Sequence, residues 1–127
     1  MADRPWESIA PAGDREYFAL ASFLPLKRYR KIPAFLRLAE QVVTQLRTSG
    51  GLIGFSFRVK FLSRTFYTLS VWEDERALMD FVAGNPHVGT MQTLGPHMGP
   101  TRFVQWTVRG PGVPPPWREA LRRLEEK

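Results

Sequence analysis

The chain has 127 residues, of which 43% are hydrophobic and 13% aromatic, and its formal charge is +6. These values predict one globular domain that buries a core of its own. The absence of cysteine excludes disulfides, thiolate nucleophiles and cysteine metal sites. Charged residues interrupt any secretory core near the start, and no apolar run is long enough to cross a bilayer. We therefore expect a soluble, cytoplasmic protein without a membrane span.

The first part of the chain combines an irregular arm with a strongly apolar strand. Residues 1–14 form the predicted N-terminal arm, which contains prolines and a glycine without periodicity. Trp6 is its one strong anchor, so the arm is ordered if Trp6 packs. Residues 17–24 predict a first strand that is apolar on both faces. Such a strand lies between two layers, and the second layer can come from another subunit.

Residues 27–31 form a basic cluster, in which four of five residues are positively charged. A cluster of this kind is a solvated loop in one interpretation. In the other interpretations it contacts an anionic ligand, a membrane surface or a nucleic acid backbone. The sequence leaves these alternatives open.

Residues 33–72 predict one helix and a strand hairpin. Apolar residues recur at spacings of three and four over residues 33–48, which indicates an amphipathic helix. Leu52–Lys60 alternates between apolar and polar residues, and Thr65–Trp72 is rich in β-branched and aromatic residues. The short connection between these two strands predicts that they pair as a hairpin.

Two further helices, a strand and a C-terminal segment complete the pattern. Asp74 is a predicted helix cap, Gly84 ends that helix, and Asn85 and Pro86 suit the start of the next one. Residues 101–108 predict the fourth strand, so residues 15–110 form a ferredoxin-like βαββαβ domain of the α+β class with a four-stranded antiparallel sheet. Residues 111–127 predict a proline-rich linker and a short helix from Trp117, which packs on its own subunit or on a partner.

One motif adds a family resemblance. The run S-V-W-E-D-E-x-A-L, followed by x-F-V-x-x-x-P-H, resembles the strand-to-helix segment of the antibiotic biosynthesis monooxygenase family. The resemblance implies a dimeric α+β barrel, in which two open sheet faces meet, and hence a homodimer. Related barrels include cofactorless oxygenases, haem-degrading enzymes, haem-dependent carotenoid oxygenases and members with no known reaction. The fold that the resemblance implies therefore does not fix the reaction.

The candidate site residues come from titratable groups and from this resemblance. His87 lies at a predicted helix start, where the helix dipole favours a neutral imidazole that can act as a base or ligate a metal. The haem-binding relatives take an axial histidine from this region, so the resemblance implies either no cofactor or haem ligated by His87. The cofactorless oxygenases orient aromatic substrates with asparagine, tryptophan, tyrosine or arginine. The resemblance thus gives Trp72 and Asn85 as further catalytic candidates and Arg58, Tyr67 and Trp106 as substrate-binding candidates.

Three interpretations of function follow. The first is a monooxygenase-like enzyme that acts on a hydrophobic or aromatic small molecule in a pocket between the sheet and the helices. The second is a haem-binding barrel protein that uses His87, and the third is a non-catalytic domain that binds a ligand or a partner. Core packing of the candidate aromatic residues is the structural alternative to each chemical role. Residues 64–69 lack the glycines of an RNA-recognition strand, which argues against a nucleic acid partner.

Overall fold

The computed structural model describes residues 4–84 and 87–126, and for residues 87, 88 and 90 it describes the backbone only. The strands and helices follow one another along the chain as β1 (Arg4–Ser8), β2 (Glu16–Pro25), α1 (Ile32–Arg47), β3 (Leu52–Lys60), β4 (Thr65–Trp72), α2 (Glu75–Ala83), α3 (His87–Leu94), β5 (Arg102–Arg109) and α4 (Trp117–Glu126). The strands form one sheet in the order β1-β3-β4-β2-β5, and every neighbouring pair is antiparallel.

The α+β class and the ferredoxin-like order of strands and helices are confirmed, but the sheet has five strands rather than the predicted four. The additional strand, β1, lies within the predicted arm and pairs with β3, where Ser8 is opposite Gly54. A short strand without alternating polarity gives no periodic signal, so its pairing was not predictable from pattern. The Trp6 ring holds β1 against β3, because it packs directly on Gly54. A Cβ atom at Gly54 would lie only 2.4 Å from Cζ2 of that ring, so no larger residue fits there.

One face of the sheet, which we call the helix face, is covered by α1 and α2. The Asp74 side chain accepts a hydrogen bond of 2.9 Å from the backbone of Ala77, which satisfies a free N–H group at the start of α2. The largest fully buried side chains on this face are Trp72, Phe55, Leu52, Leu78 and Val43. This side of the sheet therefore holds one apolar core.

The other face, the open face, is covered by α4 above β2 and β5. Ala120 and Leu124 of α4 are 0% and 3% exposed, and they pack on a cluster that includes Ala19 and Ala21 of β2. The two small alanine side chains of β2 leave the room that a helix needs to approach the sheet closely. The second layer over β2 thus comes from the same chain. No helix in the described part of the chain has the length and apolar character needed to cross a membrane.

Candidate functional site

A row of aromatic and cationic side chains crosses the open face beside α4. The strand register places Arg102 opposite Phe23, Phe23 opposite Tyr67, and Tyr67 opposite Arg58. Because residues directly opposite each other on paired strands point to the same side of a sheet, all four project from the same face. The Phe23 and Tyr67 rings lie 5.7 Å apart between centroids. We call these four residues the cation–aromatic row.

The cations of this face stack on aromatic rings. The Arg102 guanidinium lies 5.3 Å from the centre of the Phe23 ring, and the Lys60 ammonium lies 5.6 Å from that of Tyr67. Such contacts orient the cation without neutralising its charge. Within the described residues, none of Arg58, Lys60 and Arg102 has a carboxylate within the 4.0 Å of an ion pair. The row therefore presents positive charge that an anionic group can approach.

A cleft of about 460 Å³ opens where the sheet meets the proline-rich linker. Its walls come from β1, β3, β4 and the segment that leads into α4, namely Arg4, Pro5, Trp6, Ser56, Phe57, Arg58, Leu69, Pro114, Pro115, Pro116 and Trp117. Arg58 belongs to both the cleft and the cation–aromatic row, and its guanidinium lies 5.0 Å from the centre of the Trp117 ring. A cleft of this size with aromatic walls and a cation at its edge suits a flat small molecule.

Ser56 fixes the geometry of the cleft from beneath. Its buried hydroxyl donates a hydrogen bond of 2.7 Å to the backbone oxygen of Arg4 and accepts one of 3.1 Å from Nε1 of Trp117. One side chain of β3 therefore holds both β1 and the start of α4. Because all three polar groups are paired, the Trp117 ring keeps one orientation at the mouth of the cleft.

An ion pair attaches the outer wall of the cleft to α1. Arg47 donates hydrogen bonds of 2.7 and 3.0 Å to the carboxylate of Glu7 on β1. The hydrogen bonds and positive charge of Arg47 lower the pKa of Glu7 below its ordinary value. Nη2 of Arg4 likewise donates a hydrogen bond of 2.5 Å to Oε2 of Glu40 on α1. β1 is thus held by side chains as well as by its pairing with β3.

Trp106 lies on the same open face, beneath α4. It is 8% exposed, and the Arg123 guanidinium lies 4.9 Å from the centre of its ring. Its Nε1 atom is buried and has no hydrogen-bond partner in the part of the chain that the structure describes. A buried donor without an acceptor is a position where a water or a ligand oxygen would be stabilised.

The structure separates the candidates that were inferred from sequence. Arg58, Tyr67 and Trp106 share the open face, with Arg58 and Tyr67 adjacent in register. Trp72 lies on the helix face, where it is 0% exposed and packs 5.3 Å from Phe81 between ring centroids. Its Nε1 donates a hydrogen bond of 2.9 Å to Ser70. Trp72 therefore does not share a face of the sheet with the three substrate-binding candidates.

Two of the catalytic candidates lie at or next to the start of α3. Asn85 lies outside the described residues, and so does the side chain of His87, although its backbone begins α3. The catalytic roles of Trp72, Asn85 and His87 and haem ligation by His87 stay predictions. Among the described residues, no group of three or more histidine, aspartate or glutamate side chains is arranged to hold a metal ion.

Trp117, Trp6 and Ser56 were not among the predicted site residues. Trp117 stands directly after three consecutive prolines, which restrict where the chain can place it. This position could have indicated a site residue, because a rigid run of prolines can hold the aromatic ring that follows it at the edge of a site. Nothing in the sequence indicated that Ser56 accepts a hydrogen bond from Trp117, because the two residues are 61 positions apart.

Solved structures with this fold bear names from the resembled class. A candidate monooxygenase from Fusobacterium nucleatum has a TM-score of 0.69 and 8% identity over 81% of this chain and 48% of its own. A candidate monooxygenase from Lactobacillus acidophilus has a TM-score of 0.62 and 11% identity over 80% of this chain and 50% of its own. This chain thus spans about half the length of these two proteins.

A third similar structure is a point mutant of SnoaB from Streptomyces nogalater, which is named a cofactor-independent oxygenase. It has a TM-score of 0.58 and 14% identity over 76% of this chain and 95% of its own. A structure named antibiotic biosynthesis monooxygenase has a TM-score of 0.64 and 16% identity over 70% of this chain and 95% of its own, so the fold of that class is confirmed for this chain at the level of architecture. A search of curated proteins finds no match. The family model described as domain of unknown function DUF3291 matches residues 27–126, and the chain belongs to that family.

Proposed function

We propose that the protein binds a hydrophobic, aromatic small molecule in the cleft and is a monooxygenase-like enzyme. The observation that carries the proposal is the placement of Arg58 over the Trp117 ring, at the edge of a cleft of about 460 Å³. An aromatic ligand can pack on tryptophan and proline surfaces while the guanidinium faces an oxygen of the ligand. The fold supports the reaction class, since a structural relative is named a cofactor-independent oxygenase.

The residues of the cleft suggest how such a reaction would be assisted. A guanidinium beside a phenol oxygen stabilises the phenolate, and an electron-rich anion is the form of an aromatic compound that gives electrons most readily to dioxygen. The apolar walls formed by the prolines, Leu69 and Trp6 would exclude water from that anion. Arg58 is in this proposal a binding and orienting residue, with Tyr67 beside it in register.

The homodimer implied by the resemblance is part of the proposal. α4 lies over β2 and β5, so a second copy would meet the cation–aromatic row, in which Arg58 and Arg102 are exposed. Light scattering coupled to size-exclusion chromatography measures the oligomeric state directly, and a single monomeric peak at high concentration would contradict this part.

The test is a thermal-shift screen of phenols and aromatic carboxylates, followed by oxygen-electrode measurements on every compound that binds. We expect binders among them, with affinity lowered about tenfold to a hundredfold in Arg58→Met, because one charge-assisted contact contributes roughly 1.5–3 kcal/mol. Arg37→Met is the matched control, since Arg37 is an exposed cation of α1 away from the cleft. Equal affinities in both variants would contradict the role of Arg58.

A haem titration of the same purified protein tests the alternative function, haem binding through His87. Haem titration followed by absorbance, with His87→Ala in parallel, gives a saturating Soret band that changes in the variant if His87 ligates iron. A Soret band without phenol binding would favour the haem-binding interpretation. Ligand binding without oxygen consumption would favour the non-catalytic ligand-binding interpretation.

A further inference from the structure

We propose that one end of the molecule is a docking surface for an anionic lipid membrane. The surface consists of two segments, residues 27–31 and 60–64, which we call the basic tip. The first segment leads into α1, and the second is the turn between β3 and β4. This inference does not depend on the proposed enzyme activity or on the cleft.

Side-chain contacts unite the two segments. The Tyr29 hydroxyl donates a hydrogen bond to the backbone oxygen of Leu62, and the Arg64 guanidinium lies 4.8 Å from the centre of the Tyr29 ring. Arg64 also pairs with Leu26 at the base of the first segment, through backbone and side-chain hydrogen bonds of 2.8 and 3.1 Å. Residues more than thirty positions apart thus form one continuous surface.

The charge of the basic tip has one sign. Its ten residues include six cations, Lys27, Arg28, Arg30, Lys31, Lys60 and Arg64, and no aspartate or glutamate. Arg102 begins β5 at the same end of the sheet, because it is opposite Phe23 near the end of β2. The other end of the sheet carries both signs, with Glu16, Glu73, Asp74 and Glu75 near Arg15 and Arg109. An anionic surface would therefore attract the molecule with the tip foremost.

The basic tip also exposes apolar side chains at its outermost point. Leu62 is 91% exposed, Tyr29 is 54% exposed and Phe61 is 42% exposed. Large exposed apolar groups beside cations are the combination found in proteins that dock at membrane interfaces, where the apolar groups enter the headgroup region and the cations pair with anionic lipids. Exposed cations alone, or single exposed apolar side chains alone, are common on protein surfaces. Here the turn between β3 and β4 places both side by side.

Two other occupants fit less well. A symmetric contact between two copies of this surface would bring six cations against six, which costs free energy. A nucleic acid would be attracted by the cations, but recognition of single strands uses aromatic side chains on which bases stack. The tip exposes two rings, but that of Tyr29 is stacked by the Arg64 guanidinium and tied through its hydroxyl to Leu62, and Leu62, the most exposed apolar side chain, has no ring. A lipid surface uses both the charge and the leucine.

The experiment is co-sedimentation of the full chain with vesicles of phosphatidylcholine alone or with about 30% phosphatidylserine. We expect binding to the anionic vesicles only, and release when salt rises from about 50 to about 500 mM, because salt screens the attraction. Leu62→Glu should weaken binding about tenfold or more, since it removes an inserted apolar group and adds a negative charge.

Met79→Glu is the matched control, because Met79 is 44% exposed on α2 and the substitution likewise replaces an apolar side chain with a negative charge. Its effect should stay below about threefold. Equal losses in the two variants, or no sedimentation with anionic vesicles at low salt, would overturn the proposal. So would displacement from vesicles by a single-stranded oligonucleotide that binds more tightly, which would identify nucleic acid as the partner of the basic tip.

Discussion

The two faces of the sheet are built by different rules. On the helix face, Trp72, Phe55 and Leu78 are fully buried, and the Trp72 nitrogen has its hydrogen-bond partner in Ser70. On the open face, Arg58 and Arg102 stack on aromatic rings, a cleft opens beside Trp117, and β2 contributes only alanines at the centre. Both faces bury apolar side chains, with Leu69 and Val71 fully buried on the open face, but binding capacity is concentrated on the open face alone.

The largest expected effect on stability comes from replacing one tryptophan on each face with alanine. Trp72→Ala should lower the free energy of unfolding by about 3–5 kcal/mol, because it leaves a cavity in the packed helix face. Trp117→Ala should cost less than about 2 kcal/mol, since its ring is only partly buried, and should instead abolish binding of any ligand found in the screen. Urea denaturation and ligand titration measure the two quantities. A reversed order of stabilities would break the comparison.

An intermediate effect tests how firmly α4 covers the open face. Leu124→Ala removes a side chain that is 3% exposed and should cost about 2–3 kcal/mol, at the low end for leucine because a terminal helix can detach locally. Limited proteolysis should then cut the linker before α4 faster than in the parent protein. The control Glu125→Ala, on the exposed side of α4, should have a free energy of unfolding within about 0.5 kcal/mol of that of the parent protein. Similar cleavage rates in the two variants would contradict the packing role of Leu124.

The smallest expected effect concerns the link between β1 and α1. The pKa of Glu7 is lowered in the folded protein, so its contribution to stability is present above its ordinary value of 4.5 and is lost as pH falls through the lowered pKa. The melting temperature of Glu7→Gln should therefore lie slightly below that of the parent at pH 7. The difference should vanish in strong acid, where the parent carboxyl is protonated. A difference that persists unchanged at low pH would point to a packing effect.

Pattern alone predicted most of the regular elements. The alternation of Leu52–Lys60 and the aromatic run of Thr65–Trp72 correspond to β3 and β4, and the spacing over residues 33–48 corresponds to α1 at Ile32–Arg47. α1 buries one side against a core, and that requirement leaves a period in the sequence. β4 is buried on both sides, so its β-branched and aromatic composition identifies it instead. Strand β1 has no such requirement, because backbone pairing, one tryptophan and ion pairs to α1 hold it.

The site was less predictable than the fold. Alternation along β3 placed Arg58 on the face opposite Phe55 and Phe57, which is where the structure has it. Alternation could not show which part of the protein covers the open face of β2. The apolar open side of β2 indicated a cover, and the expected cover was a second subunit. The structure has α4 there, because the linker returns the chain over Ala19 and Ala21.

The cover over β2 is tethered to the sheet it protects. Only residues 110–116 separate the end of β5 from α4, so the helix is held near its docking site at a local concentration in the millimolar range or above. A cover supplied by another molecule would be lost on dilution, whereas this one is not. The buried centre of the open face should therefore persist even at concentrations where any association between copies has ended.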